Sequence, residues 1–119
     1  MKYLLTGGAG YIGLHVALAI KNSGHDVLLA DNFSNSNIDN IKHIKNVLGI
    51  CLHVEVGDIR SKDFTDKLFK KYQIDAVVHL AGLKSIPESN LKPLQYFDNN
   101  ITGTINLLRS MKKYSIKKI

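Results

Sequence analysis

A chain of 119 residues, 45% hydrophobic and 22% charged, has room for one folded domain and is too apolar for a disordered segment. Its formal charge of +6 comes from 16 Lys and Arg against 10 Asp and Glu, yet only two of the cations are arginines and no basic-aromatic interleaving accompanies them, which argues against a nucleic-acid partner. No apolar run approaches membrane-spanning length and the lone cysteine, Cys51, cannot close an internal disulfide, so the expected setting is cytoplasmic with no membrane partner.

Lys2 to Thr6 is a short apolar run stopped by glycine and reads as a buried strand. The turn Thr6-Gly7-Gly8-Ala9-Gly10-Tyr11-Ile12-Gly13 follows, and Ile12, Val16, Ala19 and Ile20 then recur at helical spacing as far as Ser23. A glycine turn between strand and helix suits a dinucleotide: Gly7 permits the tight turn, Gly10 lets the pyrophosphate approach the backbone, and Gly13 lets the helix pack closely on the strand. The helix start, with a partial charge of roughly +0.5, faces the phosphates.

Val27 to Ala30 reads as a second strand apolar on both faces, and it ends at Asp31, 18 residues after Gly13. A carboxylate there can accept from both hydroxyls of the adenosine ribose and repels a 2′-phosphate, which favours NAD over NADP. A polar loop, Asp31-Asn32-Phe33-Ser34-Asn35-Ser36, precedes a helix carrying Ile38, Ile41, Ile44 and Val47. Strand three is expected at about Leu52 to Val56, with Cys51 buried at its start. In the turn Gly57-Asp58-Ile59-Arg60, the Asp58 carboxylate can meet an adenine amino group and the Ile59 N–H a ring nitrogen. Ser61 then caps a helix bearing Phe64, Leu68 and Tyr72.

Ala76 to Leu80 reads as strand four, with His79 expected to be a satisfied core histidine. After it, Ala81 and Gly82 allow close backbone approach and Lys84 offers a cation. Pro93 opens a long helix whose apolar spacing runs through Leu94, Phe97, Ile101, Ile105, Leu108 and Met111 to near Tyr114, with Asn99 and Asn100 as polar interruptions. Ile116 to Ile119 reads as the start of a fifth strand, without which strand four is expected to present an unpaired edge. The alternation predicts an α/β fold, a doubly wound Rossmann-type parallel sheet truncated after the fourth strand and its following helix, with residues 1–119 forming one incomplete NAD-binding domain. No metal-ligand spacing links the five histidines, so no metal is expected.

Taken together, T-G-G-A-G-Y-I-G, D-N-F-S-N-S, G-D-I-R, H-L-A-G-L-K and N-N-I-T-G-T-I-N-L-L resemble the amino-terminal part of the UDP-glucose 4-epimerase family, which are extended short-chain dehydrogenase/reductases. The resemblance runs the length of the chain, and A-G-L-K points to the epimerases more than to their dehydratase relatives. It implies cofactor contacts at Tyr11 and Ile12, along Asp31 to Ser36, at Asp58 and Ile59, along Leu80, Ala81, Gly82, Leu83 and Lys84, and at Asn99. Leu80, where phenylalanine is frequent, and Ser85-Ile86-Pro87, where Ala-Val-Gly is usual, are departures.

The resemblance further implies a UDP-hexose substrate, hydride exchange with NAD at C4 of the sugar, and homodimers formed through the long last helix. The tyrosine, lysine and Ser or Thr that move the proton, and a sugar-binding domain, are expected beyond Ile119. One Tyr-x-x-x-Lys match, Tyr114 to Lys118, precedes the strand that should come before that motif and is expected to be accidental. The chain is therefore expected to hold a cofactor half-site and no catalytic residue. Two alternatives are an inert NAD-binding fragment and the corresponding part of a nucleotide-sugar dehydratase.

Overall fold

Four short strands, β1 Lys2–Thr6, β2 Asp26–Asp31, β3 His53–Val56 and β4 Ala76–His79, pair in parallel in the order β3-β2-β1-β4. The computed structural model describes residues 1–119 throughout. Helices α1 Tyr11–Asn22, α2 Ile38–Leu48 and α3 Lys62–Lys71 make the crossovers. After β4 come α4 Ile86–Leu91, α5 Pro93–Phe97 and α6 Gly103–Lys113. Asp98–Thr102 forms a π-helical turn between α5 and α6, and helical φ/ψ values at Phe97 and Gly103 make the three segments one continuous helix.

Strand residues alternate between faces, so one sheet serves two cores. Leu4, Leu28, Ala30 and Val77 pack against Leu68 and Phe69 of α3 and Leu107 and Met111 of α6. Leu5, Val27 and Leu29 pack against Leu14 and Ala17 of α1 and Ile41 of α2 on the other face. The chain steps from β1 to β2 to β3 in one direction and then returns to place β4 on the far side of β1. Right-handed crossovers put helices on opposite faces when the direction reverses, so the connections leaving β1 and β4 run to opposite faces and open a crevice at the strands' carboxyl ends.

Several expectations are corrected. Cys51 is exposed and lies before β3, which begins at His53. In α1 the buried residues are Gly13, Leu14 and Ala17, while Ile12 is exposed, because the small side chains at 13 and 17 let the helix sit close to the sheet. The stripe along the last helix divides: Met111 packs in the core, and the rest lies on the outer face. Leu94, Phe97, Ile101, Ile105 and Leu108 are all exposed, whereas Tyr96, Gly103, Asn106, Leu107, Ser110 and Met111 face inward. The stripe stays on one exposed face across the π-turn, whose extra residue accommodates the consecutive four-residue steps from Phe97 through Ile101 to Ile105. β4 is not wholly unpaired at its outer edge either, since the Val77 N–H donates to the Lys118 carbonyl at 2.9 Å.

The outer strand is tied to its helix by one carboxylate. Glu55 of β3 accepts from Lys71 Nζ at 2.6 Å and from the Tyr72 hydroxyl at the end of α3. The Lys71 hydrogen bond first, then that of Tyr72, pulls its pKa from the ordinary 4.5 to about 2. A lowered carboxylate pKa adds stability that is complete above the ordinary value and lost as pH falls through the folded one. Glu55→Gln is therefore expected to be less stable than the wild type above pH 4.5, with the gap closing as pH falls toward 2 in urea unfolding. A gap that does not change with pH would place the contribution elsewhere.

Candidate functional site

A cleft of about 400 Å³ lies over the carboxyl ends of the strands, with β1 beneath its middle. The turn after β1 forms its floor. Gly7 adopts φ +67°, and a Cβ there would stand 2.7 Å from the backbone nitrogen of Ala81, so the turns after β1 and β4 touch backbone to backbone. Gly13 is held as tightly, with a Cβ position 2.6 Å from the Gly8 carbonyl oxygen. Gly10 differs from both. Its φ of −72° is open to any residue, and a Cβ would meet only the Gly7 carbonyl oxygen at 3.4 Å. Nothing in the protein requires glycine at position 10 except the space it leaves in the cleft. Gly10 caps α1 without a side chain, so the first-turn N–H groups, which have no partner within the helix, face that space.

Asp31 ends β2 on one side of the floor. Its Oδ2 accepts from the Ala9 N–H at 2.9 Å, and its Oδ1 accepts from the Phe33 N–H at 2.8 Å and the Ser36 hydroxyl at 3.0 Å. The carboxylate thus fastens the β2 loop to the glycine turn and is buried among these donors. Beyond it, Asp58 is gripped by the Arg60 guanidinium at 2.8 Å and by Asn32 Nδ2 at 3.1 Å. Arg60 is the main cause of an Asp58 pKa near 2, so this carboxylate is ionised at any physiological pH. Arg60 also reaches Asp98 in the π-turn at 3.2 Å, which links the β3 loop to the last helix.

On the opposite side of β1, Leu80 to Lys84 line the cleft together with Asn99. Asn100 holds that loop: its Oδ1 accepts from the Leu83 N–H at 2.8 Å and its Nδ2 donates to the Leu83 carbonyl at 2.9 Å. His79, just before the loop, is fully partnered by Thr6 and Thr104, as a core histidine should be.

The structure brings all but one of the residues singled out in the sequence to this cleft. Phe33 is the exception. With φ +55° its ring turns away and packs against the core on the α1–α2 face. Ala30 and Gly57 also line the cleft and were not anticipated, although both are small residues at strand ends, which is a readable signal. Arg60, Asn100 and Asn106 were missed as supports. Asn106 is 2% exposed, and its Nδ2 donates to the Arg60 carbonyl at 2.8 Å, which steadies the Asp58–Ile59 turn from below. Tyr114 of the Tyr-x-x-x-Lys match donates to Asp66 and stacks beside Phe69 on the α3 side, outside the cleft.

The model of the NAD dependent epimerase/dehydratase family matches residues 3–119. Among curated proteins, the chain is 42% identical over 119 residues to the UDP-glucose 4-epimerase of Bacillus subtilis (strain 168), a match covering 100% of this chain and 35% of that protein. It is 45% identical over 122 residues to the bifunctional UDP-glucose 4-epimerase and UDP-xylose 4-epimerase 1 of Pisum sativum, covering 99% and 35%. Among solved structures, the UDP-glucose 4-epimerase from Bifidobacterium longum in complex with NAD+ and UDP superposes with a TM-score of 0.93 at 38% identity, over 98% of this chain and 35% of that one. The chain spans about a third of the length of the relatives it matches.

The two kinds of glycine are separable by experiment. Gly7→Ala, which meets backbone and needs a left-handed residue, should lower unfolding stability by about 2 kcal/mol or more. Gly10→Ala should lower it by less than about 1 kcal/mol, the cost of a poorer helix cap. Equal losses in urea unfolding would show that position 10 is also needed for folding.

Proposed function

The chain belongs to the NAD dependent epimerase/dehydratase family, and from that premise we propose that its cleft binds NAD as the amino-terminal portion of a UDP-glucose 4-epimerase, interconverting UDP-glucose and UDP-galactose in galactose metabolism. The observation that carries this reading is Gly10: it has an ordinary backbone conformation and no crowding neighbour, at the start of a helix whose N–H groups face the cleft. A diphosphate fits that place, because backbone donors and the helix dipole act on it only when no side chain intervenes.

The strand order supports one orientation of the two ends in this reading. The adenosine half lies over β2 and β3, where Asp31 takes the ribose and Asp58 with Ile59 takes the base, and the other half lies over β4 against Ala81, Gly82, Lys84 and Asn99. Asp31 opposes a 2′-phosphate, which supports NAD over NADP. When bound, NAD supplies a hydride acceptor and donor for C4 of the UDP-hexose. Removal of the hydroxyl proton needs a base facing the sugar, and Tyr114 is engaged with Asp66 away from the cleft. We assign that base and the sugar contacts to residues outside these 119. A lone unpaired cysteine suits a reducing compartment, so we assign the activity to the cytoplasm.

The exposed apolar stripe of the last helix supports a further part of the reading, a homodimer formed through this helix. Leu94 and Phe97, 81% and 60% exposed, are too large and apolar to be ordinary solvent-facing helix residues in such a row with Ile101, Ile105 and Leu108.

Titration with NADH, followed by its fluorescence, tests the cofactor assignment. The wild-type protein should bind, and Gly10→Ala should bind at least about tenfold more weakly while remaining folded. In the full-length enzyme the same change should abolish conversion of UDP-galactose to UDP-glucose. No binding by the wild type would refute the reading, and turnover by the 119 residues alone would refute the placement of the base. Phe97→Glu should halve the mass seen in sedimentation; an unchanged mass would exclude this helix as the interface.

A further inference from the structure

Within the dinucleotide reading above, on which this inference rests, the β4 side of the cleft is held by a chain of hydrogen bonds running from β1 to the π-turn. Thr104 of α6 donates its hydroxyl to the Asn100 carbonyl at 2.6 Å. Its oxygen is then left to accept from His79 Nε2–H, 2.9 Å away. The other ring nitrogen, Nδ1, must therefore accept, and it does so from the Thr6 hydroxyl at 2.6 Å. Burial lowers the His79 pKa from its ordinary 6.5, with no charged neighbour contributing, so the ring is neutral and the direction of the chain is fixed. At its far end Asn100 grips Leu83 through both its N–H and its carbonyl. The hydroxyl of Tyr96 accepts from the Ser85 N–H at 3.1 Å and makes a second anchor two residues on.

None of the central residues of this chain lines the cleft: Thr6, His79, Asn100 and Thr104 all stand behind it. What they touch does line it. Leu83 belongs to the loop that carries Lys84, and Asn99 directly precedes Asn100 and donates to its Oδ1 at 2.9 Å. A π-turn costs a helix regular hydrogen bonding and is retained where side chains must be brought to a particular place. Here the wide turn lets Asn99 reach the cleft while its neighbour reaches the Leu83 backbone.

We infer that Thr6, His79, Thr104 and Asn100 are positioning residues that hold Asn99 and the Leu80–Lys84 loop against the β4 half of a bound dinucleotide, leaving the adenosine half to a set of contacts that these four residues do not touch. The separation is one of direct contact. Asp31 and Asp58 are fixed by Ala9, Phe33, Ser36, Asn32 and Arg60, none of which hydrogen-bonds to Thr6, His79, Thr104 or Asn100; the one link between the two sets is the ion pair from Arg60 to Asp98 of the π-turn.

The test compares two ligands on one set of variants. ADP covers the adenosine and diphosphate places only, whereas NADH covers the whole cleft. Thr104→Val keeps the side-chain shape and removes the hydroxyl, and should raise the dissociation constant for NADH by about three- to tenfold, the effect of one well-made hydrogen bond, while that for ADP moves by less than about twofold. Thr104→Ser should restore NADH binding. Asn100→Asp, which turns the Leu83 carbonyl contact repulsive, should repeat the split and guards against a Thr104→Val protein that does not fold. Equal weakening of both ligands, or of neither, would overturn the relay and leave the dinucleotide reading standing. Failure of the wild type to bind NADH while ADP binds would overturn both.

Discussion

The turn after β1 and the turn after β4 meet at Gly7 and Ala81, closer than a Cβ would allow. The rest of the cleft depends on that approach. β1 and β4 are neighbours in the sheet but are reached from opposite directions of winding, so beyond that contact their connections run to opposite faces and leave the crevice above it. A larger residue at position 7 would push the β4 loop away from the α1 N-terminus and uncouple the two halves of the floor. Packing thus makes the crevice before any polar group gives it chemistry.

The last helix shows the opposite compromise. Asn99, Asn100, Thr102 and Thr104 lie within six positions, a composition that favours neither helix propensity nor an apolar face. Their contribution is made to partners elsewhere: Asn100 satisfies the Leu83 backbone and Thr104 the His79 ring, and Asn106, a little further along, satisfies the Arg60 carbonyl. One atom is left over, since Asn106 Oδ1 is buried without a partner. A site assembled from loops needs such supports, because each loop has too few apolar contacts to hold its own conformation. The helix that looks least suited to its role in isolation is the one that steadies both the β3 and the β4 loops.

What was legible in the sequence was local. Strand runs, the glycine turn and the polar residues at strand ends each sit within a few residues of one another, and the parallel order follows once the alternation is recognised. What escaped depended on partners far along the chain. His79 with Thr6 spans 73 residues and Asn100 with Leu83 spans 17, and no periodicity marks either pair. In α1 the close packing of Gly13 was legible, and Val16 and Ile20 of the apolar spacing do pack against the core, but Ile12 and Ala19 face solvent while Leu14 and Ala17 are buried. In the last helix the three-four spacing marks a real face, but spacing alone does not say what covers it: Leu94, Phe97, Ile101, Ile105 and Leu108 lie on the outside and only Met111 packs in the core. Phe33 was placed in the site by its neighbours, while its positive φ turns the ring toward the α1–α2 core.

Asp31 brings the two levels together. As a strand-end acid it is the most readable residue of the site, yet its carboxylate already accepts from Ala9, Phe33 and Ser36, which take three of its roughly four lone-pair directions. Two of those donors are backbone N–H groups, set by the glycine turn and by the β2 loop, and they cannot leave without moving the chain. The third is the Ser36 hydroxyl, which needs only a rotation about one bond to release Oδ1. In the proposed reading the two ribose hydroxyls therefore meet a carboxylate whose orientation is fixed by backbone and whose capacity is completed by a single side-chain rotation. Fixing it in this way spares the ordering cost that a freely rotating acid would impose on binding. It also leaves the negative charge where a 2′-phosphate would have to stand, so the bonds that join the β2 loop to the glycine turn hold the selectivity of the site in place as well.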